Sequence, residues 1–408
     1  MNSLPLFTAA LGLQSPWTIT QAKLEADAEG GQQLHLWIDF ERGAKFSVSG
    51  EQLTAYDTVE RQWRHLDFFQ HKCFLHCRVP RVKLASGKVK TVSLPWARPG
   101  SGFTLLFEAY VLQLIELEMP VNKVAVAVGE NAHRLWTIIR HYVNRAYRAL
   151  DHSQVTQLGI DETSTKKGHH YITTAVDLDE RRVVHVTPGK SKESVAAIRS
   201  YLDGKSCAPA QIEEVCIDMS PSFIAGVLEE FPAAAITFDR FHVVKLLNEA
   251  MDRVRRAERR EHELLKGHKY TFLKSEQKLS ARRLAERDEL LKLYPTLGEA
   301  YRLKVLFNDF WDLDDEKQAK KFLKHWVKQA TASGIVPFIE FVATLKKHWY
   351  GLLSFTTSRI TNGILEGTNT KIQLAKRRAR GYRNVDNFIA MIYLLAAKLD
   401  LRYPFQSS

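Results

Sequence analysis

The chain has 408 residues, with 58 Lys and Arg against 46 Asp and Glu, a net charge of +12 and a pI near 9.4. Apolar residues make up 45% and aromatics 10%, which excludes a disordered chain, a collagen or a mucin stalk, and the length predicts two to four domains at roughly 100–200 residues each. No window approaches the ~18 apolar residues of a membrane helix, the N-terminus lacks the charged start of a secretory signal, and four scattered cysteines (Cys73, Cys77, Cys207, Cys216) make no disulfide framework, so a soluble, cytoplasmic protein is expected.

Residues 31–98 carry short β segments, LHLWIDF (34–40), FFQHKCFLHCRVPRVK (68–83) and VKTVSLPW (89–96), separated by Gly43, Gly50 and Gly87. This predicts a small β-rich N-terminal module over residues 1–100. Its second part is basic: residues 61–98 hold nine Lys and Arg and one acid, Asp67, whereas residues 1–60 hold three against eight. A polyanionic partner is expected there, because each Lys or Arg set on a phosphate releases a condensed counterion.

From Phe103 the period becomes helical, with Leu105, Leu106, Ala109, Leu112 and Leu114 before Pro120. A second helix carries Val121, Val124, Ala125 and Val128 and ends at Gly129. A third starts near Asn131 with Leu135, Ile138, Ile139 and Tyr142 inward and Arg134, Arg140, Arg145 and Arg148 elsewhere on its circumference. A short helix, a glycine turn and a longer basic helix predict a helix-turn-helix over 101–150, with a plain three-helix packing unit as the alternative.

Residues 155–187 read as three antiparallel strands with turns at Lys167-Gly168 and Asp179-Glu180. A helix at 192–202, a strand at 213–218, a helix from Pro221 and a strand at 234–238 complete a βββαβαβ order. This is an α/β sheet of mixed direction. From about 240 to 355 only helical periodicity is visible, with Trp311, Trp326 and Trp349 expected in the core. The basic run Arg253, Arg255, Arg256, Arg259, Arg260 is interleaved with Glu258, Glu261 and Glu263 and reads as a solvated helix face. A second basic cluster, Lys371, Lys376, Arg377, Arg378, Arg380 and Arg383, holds no acid and is expected to contact phosphate.

Asp161 and Asp218 each follow an apolar run and are expected at strand ends on one edge of the sheet. Ser220 and Pro221 stand where the N-cap and first helical residue belong, which leaves the Asp218 carboxylate free of capping. A third acid is Glu366, in a helical run where Asn362, Glu366, Asn369, Thr370, Gln373 and Arg377 fall near one face; Asp239 competes with it, and spacing leaves the choice open. Three carboxylates in a basic protein can hold Mg²⁺ through hard oxygens, and two such ions can serve both sides of a phosphodiester.

The segments GIDETSTKKGHHYITTAVDLD (159–179), VCIDMSPSFIAGV (215–227), AAITFDRFHVVKLLNEAMDRVRR (234–256) and TNGILEGTNTKIQLAKRRARGY (361–382) resemble bacterial insertion-sequence transposases of the ISL-three type. The resemblance extends upstream through 56–83 and 94–109. It implies a DDE recombinase with a ribonuclease-H-like catalytic domain over 151–408, the helical stretch 240–355 being an insertion. It also implies Asp161, Asp218 and Glu366 as catalytic and metal-binding triad, thereby preferring Glu366 to Asp239. The family's cysteine-rich zinc module is missing its ligands: FSVSG (46–50) and VKLASG (82–87) contain no cysteine. Cys73 and Cys77 share a strand face with Leu75 between them, so no zinc is expected.

Together these imply a DNA transposase with a two-ion Mg²⁺ site that Mn²⁺ can fill. The helix-turn-helix, through Arg134, Arg140 and Arg145, and the basic module would bind terminal inverted repeats of double-stranded DNA. Lys371, Lys376, Arg377, Arg378 and Arg380 would hold the scissile strand, and the complex with DNA ends and target would be at least dimeric. A non-catalytic DNA-binding regulator or decayed transposase, and a metal-dependent nuclease or resolvase, are the competing readings.

Overall fold

The computed structural model describes residues 4–27, 30–360 and 363–402, and the chain divides into two compact units. The first comprises Met1–Ala149, Ala375–Arg380 and Leu399–Ser408, and the second Leu150–Leu374 and Gly381–Lys398.

The first unit opens with α1 (Leu4–Ala10), β1 (Trp17–Ala26), β2 (Gln32–Phe40), β3 (Lys45–Val48), β4 (Glu51–Thr54), β5 (Asp57–Phe68), β6 (His71–Lys83) and β7 (Val89–Thr91). β1, β2, β6 and β5 form a sheet in that order with β7 beside β6, while β3 and β4 form a hairpin closed by Ser49-Gly50, both at positive φ. The two-residue period sends Leu34, Leu36, Ile38, Cys73, Leu75, Cys77 and Val79 into a core with Trp17, Trp63 and Trp96. The other face stacks His35 on Phe74 and Trp37 on His76. Four of the strands, β1, β3, β4 and β5, lie outside the expected segments, and the expected strand at 89–96 stops at Thr91. β5 carries charges at Asp57, Glu60, Arg61, Arg64 and Asp67, on both of its faces, so its apolar signal is thin.

Three helices follow, α2 (Leu105–Glu116), α3 (Val121–Ala127) and α4 (Ala132–Arg148), with the expected starts and stops. Thr104 caps α2 by accepting from Phe107 N, and Asn131 caps α4 by accepting from His133 N at 2.7 Å; Gly129 makes the turn at φ 63°. Leu135, Ile138, Ile139 and Tyr142 are buried as their spacing predicts. Glu108, fully buried, accepts from Arg98 Nε (2.9 Å), Ser101 Oγ (2.6 Å) and Tyr142 OH (2.9 Å), tying α2 to α4.

The second unit starts with β8 (Gln157–Lys166), β9 (His170–Asp177), β10 (Arg182–Pro188), α5 (Lys192–Asp203), β11 (Glu214–Ile217), α6 (Pro221–Glu230) and β12 (Ala235–Phe238). The sheet order is β10-β9-β8-β11-β12, antiparallel as far as β8 and parallel from β8 through β11 to β12. This is the expected mixed sheet. The helical block comprises α7 (Arg240–Glu261), α8 (Lys269–Leu273), α9 (Ala281–Leu293), α10 (Pro295–Phe307), α11 (Glu316–Ala332), α12 (Val336–Lys347) and α13 (Trp349–Ser358). Trp311 and Trp326 are buried in its core and Trp349 packs against it half-buried. α13 lies on β12 at Gly351, where a Cβ would come within 2.3 Å of the Phe238 ring. α14 (Gly363–Arg378) and α15 (Val385–Ala396) follow.

Candidate active site

Strand register builds the site. Glu214, Val215 and Cys216 of β11 pair with Gln157, Leu158 and Gly159 of β8, so continuing the ladder by two residues sets Asp218 level with Asp161. On the other side Ile217 pairs with Phe238, which sets Asp218 level with Asp239. Three aspartates thus form one row across three adjacent parallel strands. The row lies at the carboxyl ends of β11 and β12 but in the middle of β8: Asp161 does not end its strand as expected, because β8 runs on to Lys166 against β9 after its pairing with β11 has stopped.

Asp161 is half-buried; its Oδ1 accepts from Glu162 N at 2.7 Å and its Oδ2 from Asn369 Nδ2 at 2.5 Å. Burial raises its carboxyl pKa, opposed by the Glu162 amide, the charge of His242 and the Asn369 amide, and reinforced by the Asp218 charge. Asp218 Oδ1 accepts from Ser220 N at 3.0 Å; Ser220 and Pro221 do occupy the N-cap and first position of α6. Asp239 is almost fully buried with both oxygens engaged, Oδ1 by Phe241 N (2.7 Å) and Oδ2 by His242 Nδ1 (2.7 Å). It is the N-cap of α7, the task that spacing could not assign to it.

α14 brings the remaining acid. Gly159 of β8 accommodates its Leu365, whose Cδ1 would lie 2.8 Å from a Cβ at that position, and Asn369 fastens to Asp161 while accepting from Thr163 Oγ1 at 3.2 Å. Glu366, three residues before Asn369, is on the same helix face and exposed. Thr370 is exposed and Gln373 half-buried, whereas Asn362 lies outside the described residues. Sequence reasoning placed Asn369 in the polar stripe without assigning it a contact, and missed His242; an Asp directly after a strand with a His three residues on was the available signal.

Among the described residues no three His, Cys, Asp or Glu side chains converge as ligands of one metal ion. The donor chemistry nevertheless suits a hard divalent cation: two neighbouring carboxylates, one of them largely desolvated, destabilise each other's charge, and a cation between them removes that penalty.

The expected DNA-contacting residues divide. Arg134 pairs with Glu130 (2.7 Å) and lies over the Phe103 ring, Arg140 donates to Trp136 O (3.3 Å), and Arg145 donates to Leu401 O (2.7 Å) and lies over Tyr142. These three brace their own unit as well as bordering solvent. Lys371, Arg377 and Arg380 are exposed, Lys376 is half-buried, and Arg378 pairs with Glu118. In the basic stretch 61–98, Arg64 is buried and pairs with Asp67 and Glu130, while Arg78, Arg81 and Arg98 pair with Asp39, Asp57 and Glu108. Of the nine basic residues there, five make no ion pair among the described residues: Arg61, Lys72, Lys83, Lys88 and Lys90. The third run is solvated only in part: Arg253 and Arg256 are exposed and pair with Glu340 and Asp252, whereas Arg255 is buried against Asp252, a correction to the expected solvated face.

A model described as "Transposase" of the ISL3 group matches residues 158–392, one described as "Helix-turn-helix domain of transposase family ISL3" matches 92–143, and one described as "zinc-finger of transposase IS204/IS1001/IS1096/IS1165" matches 50–83. The second match decides between a helix-turn-helix and a plain three-helix unit in favour of the former. In the third segment Cys73 and Cys77 are buried in the sheet core, where burial pushes both thiols up to about 12. The chain is 28% identical to the "Transposase for insertion sequence element IS1557" of Mycobacterium tuberculosis, over 97% of this chain and 96% of that protein. It is 30% identical to the "Transposase for insertion sequence element IS1001" of Bordetella parapertussis, over 83% and 84%.

Proposed function

Because the chain belongs to the ISL3 family of insertion-sequence transposases, we propose that it binds the terminal inverted repeats of its element and catalyses metal-dependent strand cleavage followed by strand transfer from the freed 3′-hydroxyl. The observation that carries the reading is the row of Asp161 and Asp218 on adjacent strands, with the helix bearing Glu366 fastened to Asp161 through Asn369. The sheet order β10-β9-β8-β11-β12 supports a ribonuclease-H-like catalytic domain.

In this reading Asp161, Asp218 and Glu366 would hold divalent cations, Mg²⁺ or Mn²⁺, whose chemistry when bound would be to activate an attacking oxygen and to offset charge on a departing one. Asn369 orients the Asp161 carboxylate so that one lone pair of each oxygen remains free for a ligand. Lys371, Lys376, Arg377 and Arg380, on or just after α14, supply positive charge for the DNA backbone, and α4 carries the duplex-reading surface. Two ends must meet before transfer, so a dimer or larger assembly forms on DNA.

The test is cleavage of a labelled duplex carrying the element's own end, with Mg²⁺ or Mn²⁺. Asp161→Asn, Asp218→Asn and Glu366→Gln should each lower the rate by at least about a thousandfold with end binding unchanged. Wild-type protein that binds ends but never cuts would instead be a DNA-binding regulator. Cutting of DNA without ends, and no strand transfer, would make it a nuclease or resolvase.

A further inference from the structure

We infer that His242 is a catalytic residue that donates a hydrogen bond from Nε2 to a non-bridging oxygen of the scissile phosphate, with Asp239 as its positioning residue. The inference deepens the proposed function and rests on Asp161 and Asp218 marking the reaction centre.

The argument begins with what Asp239 needs. As the N-cap of α7 it requires one oxygen, which Oδ1 supplies to Phe241 N at 2.7 Å. The second oxygen is spent on the His242 ring, 2.7 Å from Nδ1. Asp239 is 4% exposed and the ring 27%, so the carboxylate is sealed while the imidazole borders solvent. Here Nε2 has no hydrogen-bond partner among the described residues.

The ring's surroundings set its charge. Its hydrogen bond to Asp239, opposed by burial, and then the charges of Asp239, Asp218 and Asp161 raise its pKa above the usual histidine value. The imidazolium has a donor at each nitrogen, one spent on Asp239 and one free beside the aspartate row. A fixed cationic donor beside the carboxylates that would hold the metals suits a phosphate whose oxygens gain negative charge during displacement.

The experiment measures single-turnover cleavage in preassembled protein–end complexes, with end affinity taken separately without divalent cation and folding followed by thermal melting. His242→Ala should cut on the order of a hundredfold more slowly, with end affinity within about twofold of wild type. Asp239→Asn should show a deficit of similar size, and the double variant should be no slower than His242→Ala, since Asp239 acts through the ring. His242→Ala cutting at the wild-type rate overturns the proposal. So does an Asp239→Asn deficit that exceeds or adds to that of His242→Ala, which would make Asp239 act on its own. If His242→Ala loses its melting transition, His242→Gln, which keeps a neutral amide in place of the ring, carries the same comparison. Asp161→Asn serves as the control: a variant that still cuts sinks the reaction centre itself, independently of His242.

Discussion

Asp161, Asp239 and Arg64 illustrate three ways in which a charged side chain is held inside this protein. Asp161 is held by an amide from another helix, Asp239 by a helix N-terminus and a ring, and Arg64 between the Phe74 and Phe107 rings with Glu130 and Asp67 as counter-ions. Removing Arg64 takes away one of the two cations at Glu130, which keeps Arg134, and empties the buried space between the Phe74 and Phe107 rings, so Arg64→Ala should cost about 1–3 kcal/mol of stability in denaturant unfolding, whereas exposed Arg61→Ala should leave stability unchanged. Three buried histidines show the largest shifts toward acid sensitivity. Burial drives His65, His152 and His185 down to about 4, helped by Arg64 at His65 and by Arg182 and Lys205 at His152. The folded state therefore takes up these protons later than the unfolded chain does. Their contribution is complete above pH 6.5 and is lost as pH falls through about 4. Tm should fall between pH 6.5 and 5, before most carboxylates titrate, and a flat profile there would refute the assignment. At the cysteines, metal analysis of the purified protein should find zinc well below one atom per chain. Stoichiometric zinc whose removal unfolds the first unit would overturn that expectation.

Among the elements, β8 and α14 decide whether the site exists. Their contact depends on Gly159, where a Cβ would meet Leu365 at 2.8 Å and Leu178 at 2.9 Å. Gly159→Ala should displace α14, cost about 1–3 kcal/mol and slow cleavage about tenfold or more; adding Leu365→Ala should restore part of the rate by making room. Failure of the second substitution to rescue would locate the damage elsewhere. The elements were legible in the sequence wherever one period ruled a whole segment. Leu135, Ile138, Ile139 and Tyr142 drew α4, and the apolar runs before Asp161, Asp218 and Asp239 drew the sheet. β5 was not legible because its charges sit at positions facing solvent and partners alike. Of the site, Asp161 and Asp218 could be read as acids on one edge of the sheet, but not that β8 runs on past Asp161; that Asp239 falls level with both is a matter of register between strands, which spacing along one chain does not carry. Nor could periodicity show that Asp239 spends itself on Phe241 N and His242, since a cap is defined by backbone geometry. The resemblance, rather than the spacing, selected Glu366.

For the molecule as a whole, the net charge of +12 overstates the positive surface available to DNA, because Arg64, Arg78, Arg81, Arg98, Arg253, Arg255 and Arg256 are tied to carboxylates. Binding should follow the exposed remainder. Lys371→Ala and Arg377→Ala should each shallow the slope of log affinity against log salt by about 0.9, if each meets one phosphate, and should weaken all duplexes alike. Unchanged slopes would take α14 off the DNA backbone. No helix of the described residues is long and apolar enough to cross a membrane. The four thiols have a practical consequence. Cys73, Cys77, Cys207 and Cys216 are each at most 4% exposed, and burial raises the pKa of every one of them. The native surface therefore offers almost no thiolate to a maleimide. A single cysteine introduced at an exposed position such as Thr370 would be the one site a fluorophore could label, so the motion of α14 on DNA can be followed without first stripping the natural cysteines from the core.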